Sequence, residues 1–394
     1  MNVNLSWFRV PGDVVFGAGT LEYLKQVKGS KAFISLGKNS MRNNGVLEKA
    51  VGYLKEAGIE YTVFEGVEGD PSIDTVYRGA EKMREFGPDL IIGLGGCSAI
   101  DAAKAMWVFY EYPDKKFEDI KDPFTIPELR KKARFIAVPS TSGTGTEVTC
   151  VAVITDSQTG IKYPLASYEI TPDIAIVDPE LCLTMPDNVT ADTGMDALSH
   201  SFEAYVSVMA HEYTDTLALE SIKMMFEWLP KAVSDGQDLQ ARTKMHIAQN
   251  FAGMAFSNAI LGIVHSMSHK ISTLVPTTHG RCNAILMPPI IQYNAKAAGA
   301  KYAAIARGQG LSGANDNALV TALVEAVRKI NAAIGIPAAL RDAGMSEEKF
   351  LGVLRYSAEA ALGDPCTGTN PRKPTVEELM EIYKAAYYGS EVDF

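Results

Sequence analysis

The chain contains six histidines, His200, His211, His246, His265, His269 and His279, all in one part of its second half. Asp196 and His200 stand four residues apart in a segment of helical periodicity, so both side chains leave one face of a helix. His265 and His269 repeat that spacing on a second such segment. His279 follows a Pro-Thr-Thr turn and precedes Gly280. Metal sites are commonly built from paired ligands on facing helices. One carboxylate with several imidazoles suits a borderline divalent ion, Fe2+ or Zn2+, and the lack of cysteine among them sets the group apart from structural thiolate zinc sites. Any one of these histidines taken alone reads better as a packing or surface residue. Two i, i+4 pairs and a turn histidine together point to a metal, although the spacing leaves open which four of the five groups are ligands. His211 and His246 lack such partners and read as ordinary structural residues.

A second chemistry is legible upstream. Gly95-Gly96-Cys97-Ser98 lies between an apolar run, Asp89 to Gly95, and an amphipathic stretch, Ala99 to Tyr110. Glycines at such a turn let the backbone approach a diphosphate, whose charge the helix N-terminus favours. Ser140-Thr-Ser-Gly-Thr-Gly-Thr-Glu147 follows another apolar run and adds hydroxyls. One Gly-rich turn is a weak signal, but two after strands favour a nucleotide at the end of the sheet where ligands of open α/β sheets bind. The usual dinucleotide fingerprint is absent, because Leu36-Gly37-Lys38-Asn39-Ser40 after the first such strand has a single glycine.

The hydrophobic period shows what positions these residues. Apolar runs at 31–37, 61–64, 89–95, 134–138, 148–155 and 173–177 read as strands, the early ones alternating with helical patterns at 46–57, about 72–86 and 99–110. Buried strands of this kind predict a mostly parallel sheet with helices on both faces. After Pro186 the strands stop and long helical patterns follow: 190–206, 213–228, 239–258, 281–294, 318–333 and 376–387. The expected organisation is therefore an α/β domain over 1–186 and an all-helical domain over 187–394. A cleft between unlike halves is a common place for a small-molecule site.

The 394 residues carry 37 Lys+Arg against 47 Asp+Glu, a net charge of −10, which argues against nucleic acid or an anionic membrane surface as the main partner. No secretory signal and no bilayer-length apolar run is visible. Five scattered cysteines, with no Cys-x-x-Cys pair, read as reduced thiols of a cytoplasmic protein.

Four segments carry a family likeness: Gly95-Gly-Cys-Ser-Ala-Ile-Asp-Ala-Ala-Lys104, Pro139-Ser-Thr-Ser-Gly-Thr-Gly-Thr-Glu-Val-Thr149, Thr193-Gly-Met-Asp-Ala-Leu-Ser-His200 and Gly262-Ile-Val-His-Ser-Met-Ser-His269. In this order they resemble the group III, iron-dependent alcohol dehydrogenases. The nearest likeness is to the NADPH-dependent butanol dehydrogenases and the alcohol dehydrogenase half of bifunctional aldehyde–alcohol dehydrogenases. It runs from Phe16-Gly-Ala-Gly19 to Cys366-Thr-Gly-Thr-Asn-Pro-Arg372 and the terminal Tyr387 to Phe394. The resemblance implies a dehydroquinate synthase-like fold, an N-terminal α/β dinucleotide-binding domain followed by an all-α metal-binding domain. Position by position, it implies Asp196, His200, His265 and His279 as metal ligands and His269 as a cleft histidine on a proton path. Gly95, Gly96 and Ser98 would hold the diphosphate, with Asp101, Thr141, Ser142, Thr144 and Lys162 around the nucleotide and Phe256 and Cys366 along the substrate channel.

The implied reaction moves a hydride between a primary alcohol or its aldehyde and a nicotinamide, with Fe2+, or alternatively Zn2+, and a homodimeric assembly. NAD-preferring relatives carry an aspartate at the end of the first dinucleotide strand. Gly37 stands there instead, with donors on Lys38, Asn39 and Ser40, so NADP(H) is expected ahead of NAD(H). Three departures stand out. Cys97 replaces a glycine and requires a negative φ, Ser199 replaces a threonine, and Thr273 to Thr278 alters the run before His279. Dehydroquinate-synthase-like or glycerol-dehydrogenase-like chemistry and a non-enzymatic nucleotide-binding or filament role are the weaker alternatives.

Overall fold

A computed structural model describes residues 7–394, which divide into two compact units, Arg9–Thr184 and Met185–Phe394, the second taking in Trp7 and Phe8. The first unit contains β1 (Asp13–Phe16), β2 (Lys31–Leu36), α1 (Ser40–Asn43), α2 (Val46–Glu56), β3 (Glu60–Phe64), α3 (Ile73–Phe86), β4 (Leu90–Gly95), α4 (Cys97–Glu111), β5 (Arg134–Pro139), β6 (Val151–Thr155), β7 (Lys162–Ala166) and β8 (Ile174–Val177). Six strands form a parallel sheet in the order β1-β8-β5-β4-β2-β3. Alternate residues of the central strands enter separate cores on the two faces. Phe33, Ile91 and Phe135 pack under α3 and α4, while Ile34, Ile92 and Ile136 pack with α2 on the opposite face. This two-sided burial is why the strands read as unbroken apolar runs.

The register aligns Leu36 with Leu94 and Gly95 with Pro139, so the segments after β2, β4 and β5 leave one end of the sheet side by side. One expected strand differs. Val148–Thr155 is not a strand of the main sheet; pairing begins at Val151, in an antiparallel ribbon with β7. The reason is local: Lys104 Nζ donates to the carbonyls of Thr146, Thr149 and Val151 at 2.7, 2.8 and 2.9 Å, so the backbone wraps an ammonium instead of pairing.

The second unit contains α5 (Asp187–Val206), α6 (Glu212–Ser234), α7 (Leu239–Ala259), α8 (Ile263–Ile271), α9 (His279–Gly308), α10 (Asp316–Ala333), α11 (Glu347–Leu362) and α12 (Val376–Tyr388) around one apolar core. The long α5 packs against α6, α7 and α9. Two details fix its neighbours. A Cβ on Gly280 would lie 2.1 Å from the carbonyl oxygen of Asp192, so only glycine lets the start of α9 come this close to α5. Between α7 and α8 the chain bends by 100° at Ile260, whose φ of 61° and ψ of −171° are strained for a β-branched residue. Among the described residues no single helix is long and apolar enough to cross a membrane.

Candidate functional site

Asp196 and His200 leave the same face of α5, His265 lies in the first turn of α8, and His279 is the first residue of α9. The donor atoms of Asp196, His265 and His279 lie within 4.8 Å of one another, and His200 reaches the same carboxylate. Asp196 Oδ1 stands 3.5 Å from His265 Nε2, 3.7 Å from His200 Nε2 and 3.7 Å from His279 Nε2. Such separations are long for hydrogen bonds, whereas four ligands at about 2.1 Å from a tetrahedral ion lie about 3.4 Å apart. The donor set itself fits a divalent cation. Asn283 Nδ2 sits 2.8 Å from Asp196 Oδ1 and 3.2 Å from both His265 Nε2 and His279 Nε2, so a positively polarised amide already occupies the focus of three acceptors.

The surroundings fix each ring. Glu203 accepts from His265 Nδ1 and from the backbone N–H groups of Val264 and His265 at 2.7 and 3.3 Å. Ser268 Oγ lies 3.1 Å from His279 Nδ1, which leaves each Nε2 facing Asp196. Burial would lower the His265 pKa, but the charge of Glu203, its hydrogen bond to the ring and the nearby charge of Asp196 push it up to about 9. His279 is driven down to about 3, by burial first, against the attraction of Asp196 and with the neighbouring imidazoles adding to the fall. Burial opposes the ionised form of Asp196, yet His200, His265 and His279 hold it far below the usual carboxylate range.

His269 stands outside this convergence. Its ring stacks on His279 at 5.4 Å, but its Nδ1 faces Asp364 Oδ2 at 3.1 Å. Lys270 Nζ is 2.9 Å from the same oxygen, and the Asp364 Oδ1 atom accepts from the Cys366 N–H. Burial alone would raise the Asp364 pKa; His269 and Lys270 instead hold it below the carboxylate range. Cys366 joins His269 and Asp364 in one small group of ligand-type atoms, and Phe256 stacks on the His200 ring at 4.4 Å.

In the α/β unit, Gly95 has φ +133°, a conformation that requires glycine, and Cys97 enters α4 with ordinary negative φ, as its replacement of a glycine demands. Ser98 Oγ donates to Gly69 O at 2.5 Å, and the adjacent Asp70 pairs with Lys162 at 2.6 Å, which connects Lys162 to this turn. Thr141 lies beside Gly96, and Thr144 Oγ1 accepts from the Thr146 N–H. Ser142 is buried, with Oγ 3.6 Å from Cys182 Sγ. Gly37 sits at the end of β2 with room for a Cβ, followed by the exposed Lys38, Asn39 and Ser40.

Asp101, expected near the nucleotide, faces the loop after β5. It is buried, and its carboxylate accepts from Thr146 Oγ1 at 2.6 Å and from the Val153 N–H at 2.8 Å, so it braces the loop after β5 from within. Lys104, Glu203, Asn283 and Asp364 escaped sequence reasoning. Glu203 alone had a usable signal, since it follows Asp196 and His200 at i+7 and i+3 on one helical face.

The comparisons agree with this geometry. The family description "Iron-containing alcohol dehydrogenase" matches residues 11–179, and "Fe-containing alcohol dehydrogenase family, C-terminal" matches residues 190–387. An NADPH-dependent butanol dehydrogenase of Clostridium saccharobutylicum is 52% identical over 387 residues, 98% of this chain and 99% of that protein. An aldehyde-alcohol dehydrogenase of Streptococcus pneumoniae is 44% identical over 98% of this chain; the match covers 46% of that protein, so the chain spans about half its length. An iron-containing alcohol dehydrogenase structure from Thermococcus thioreducens matches with a TM-score of 0.89 at 36% identity, over 98% of this chain and 100% of that one. The parallel sheet followed by a helical unit, the converging carboxylate and imidazoles, and relatives that match nearly end to end place this chain in the iron-containing alcohol dehydrogenase family.

Proposed function

We propose that the chain interconverts a primary alcohol, butanol-like in size, and its aldehyde, using NADP(H) in preference to NAD(H) and Fe2+, or alternatively Zn2+. The observation that carries this is the convergence of Asp196, His265 and His279 on one focus, with His200 Nε2 3.7 Å from the same Asp196 oxygen. In this reading residues 187–394 hold the metal through those four side chains, and residues 1–186 bind the nucleotide. When bound, the ion supplies Lewis acidity to the alcohol or carbonyl oxygen and the nicotinamide supplies or accepts the hydride. Gly95, Gly96 and Ser98 leave backbone N–H groups at the start of α4 for the diphosphate, with Thr141, Thr144 and Lys162 beside them. His269, oriented by Asp364, exchanges the proton with solvent. Phe256 shields the apolar side of the His200 ring and, with Cys366, lines the substrate path. The five free cysteines fit a reducing cytoplasm, and the family likeness favours a homodimer.

The test is direct. Protein purified without oxygen is assayed for metal content and for butanal-dependent loss of NADPH absorbance. Stoichiometric Fe or Zn with turnover is expected, and a metal-free protein that refuses restoration by added Fe2+ or Zn2+ refutes the reading. Cofactor choice has its own probe. A carboxylate near the 2′-phosphate costs about 1–4 kcal/mol, so Gly37→Asp, which the backbone accommodates, raises KM for NADPH far more than for NADH. An unchanged ratio refutes the NADP(H) preference.

A further inference from the structure

Glu203 is buried on α5, on the face that carries Asp196 and His200. Among the described residues its one ion-pair partner is His265. It also takes the N–H groups of Val264 and His265 in the first turn of α8, so a single carboxylate fastens both the helix start and the ring that the helix carries. The packing leaves room for it only because residue 262 is glycine: a Cβ there would lie 3.0 Å from Glu203 Oε1 and 2.9 Å from Asn370 Oδ1.

We infer that Glu203 is a positioning residue that makes the Asp196–His200–His265–His279 cluster bind a divalent cation tightly, by fixing His265 with Nε2 inward and by supplying the second buried negative charge. This rests on the reading of that cluster as the metal site. An ionised carboxylate is costly to bury without a compensating cation. Once the imidazoles are neutral, as metal ligation requires, Asp196 and Glu203 contribute two negative charges, so a divalent ion brings the group to zero. A carboxylate on the far nitrogen of a ligating imidazole also makes the near nitrogen a better donor, and loss of such a partner costs 10- to 100-fold in metal affinity.

The experiment measures Zn2+ affinity of the metal-stripped full chain by competition with a chromophoric chelator. Glu203→Gln keeps the volume and an oxygen for the α8 amides but removes the charge. Its Zn2+ dissociation constant should rise about 10- to 100-fold, while its metal-free form melts within a few degrees of the metal-free parent and binds NADPH as the parent does. Gly262→Ala, which pushes a Cβ toward the carboxylate, should weaken Zn2+ in the same direction by a smaller factor. Unchanged Zn2+ affinity in Glu203→Gln overturns the inference, as does an equal drop in melting temperature with and without metal, the mark of a purely structural role. A parent chain that binds no Zn2+ overturns the reading beneath it instead, and the two failures are thereby told apart.

Discussion

At the scale of single residues, His265 and His269 separate two roles that the sequence spacing left together. His265 Nε2 faces Asp196, whereas His269 turns its Nδ1 to Asp364. His265→Ala should therefore lose both metal and turnover. His269→Ala should keep stoichiometric metal while turnover falls by about 10²- to 10⁴-fold; elemental analysis beside a kcat measurement decides between them. Asp364 gives a prediction in pH. Its folded pKa lies below its unfolded value of about 3.9, so its ionised form stabilises the fold above that pH, and the contribution fades as the pH falls through the folded value. Asp364→Asn should cost about 2 kcal/mol at pH 7, and the gap to the parent should close below about pH 4. A gap that is independent of pH in denaturant titrations would mean that packing, not the pairs with His269 and Lys270, is what the substitution removes.

At the scale of elements, α4 does more than offer its N-terminus to a phosphate. Asp101 and Lys104, one turn apart and both buried, grip the loop after β5 from inside, the first through Thr146 and Val153 and the second through three carbonyls. Burial lowers the Lys104 pKa against the pull of Asp101, while three carbonyl oxygens receive the hydrogens of its amino group. Lys104→Met should destabilise the protein by about 2–4 kcal/mol and weaken NADPH binding measured by nicotinamide fluorescence. Retained NADPH affinity in a folded Lys104→Met protein would separate the brace from the nucleotide site. The same elements show how far sequence goes. Strands β2, β4, β5 and β8 were legible because both faces are buried and the runs are uninterrupted. Strand β1 is short and half exposed, and β7 is a ribbon strand beginning with an exposed lysine, so neither has a pattern to read. Asp196 and His200 were legible through helical spacing within α5, and His265 and His279 through the family resemblance. Of the supporting residues, Glu203 shares the helical spacing of Asp196 and His200, but its partners on α8, like those of Lys104 in the loop after β5, lie at long sequence separations that no local period records.

At the scale of the molecule, the helical unit and the α/β unit have separate cores, and each is expected to hold a different ligand. A ligand at 100 times its dissociation constant stabilises what it binds by about 2.7 kcal/mol. Chelation should therefore speed amide exchange in α5, α8 and α9 more than in β2, β4 and β5, and NADPH should slow exchange chiefly in the strands. Exchange mass spectrometry with each ligand in turn reads the pattern; equal changes everywhere would show one cooperative body. Heat resistance offers a different view of Ile260. The backbone region that it occupies is essentially glycine's own and costs of order 1–3 kcal/mol for other residues. In a library randomised at this codon and selected for survival at rising temperature, glycine should overtake the isoleucine that the chain now carries, although it buries less apolar surface. The bend between α7 and α8 is thus a place where the protein can still gain stability without altering Asp196, His200, His265 or His279.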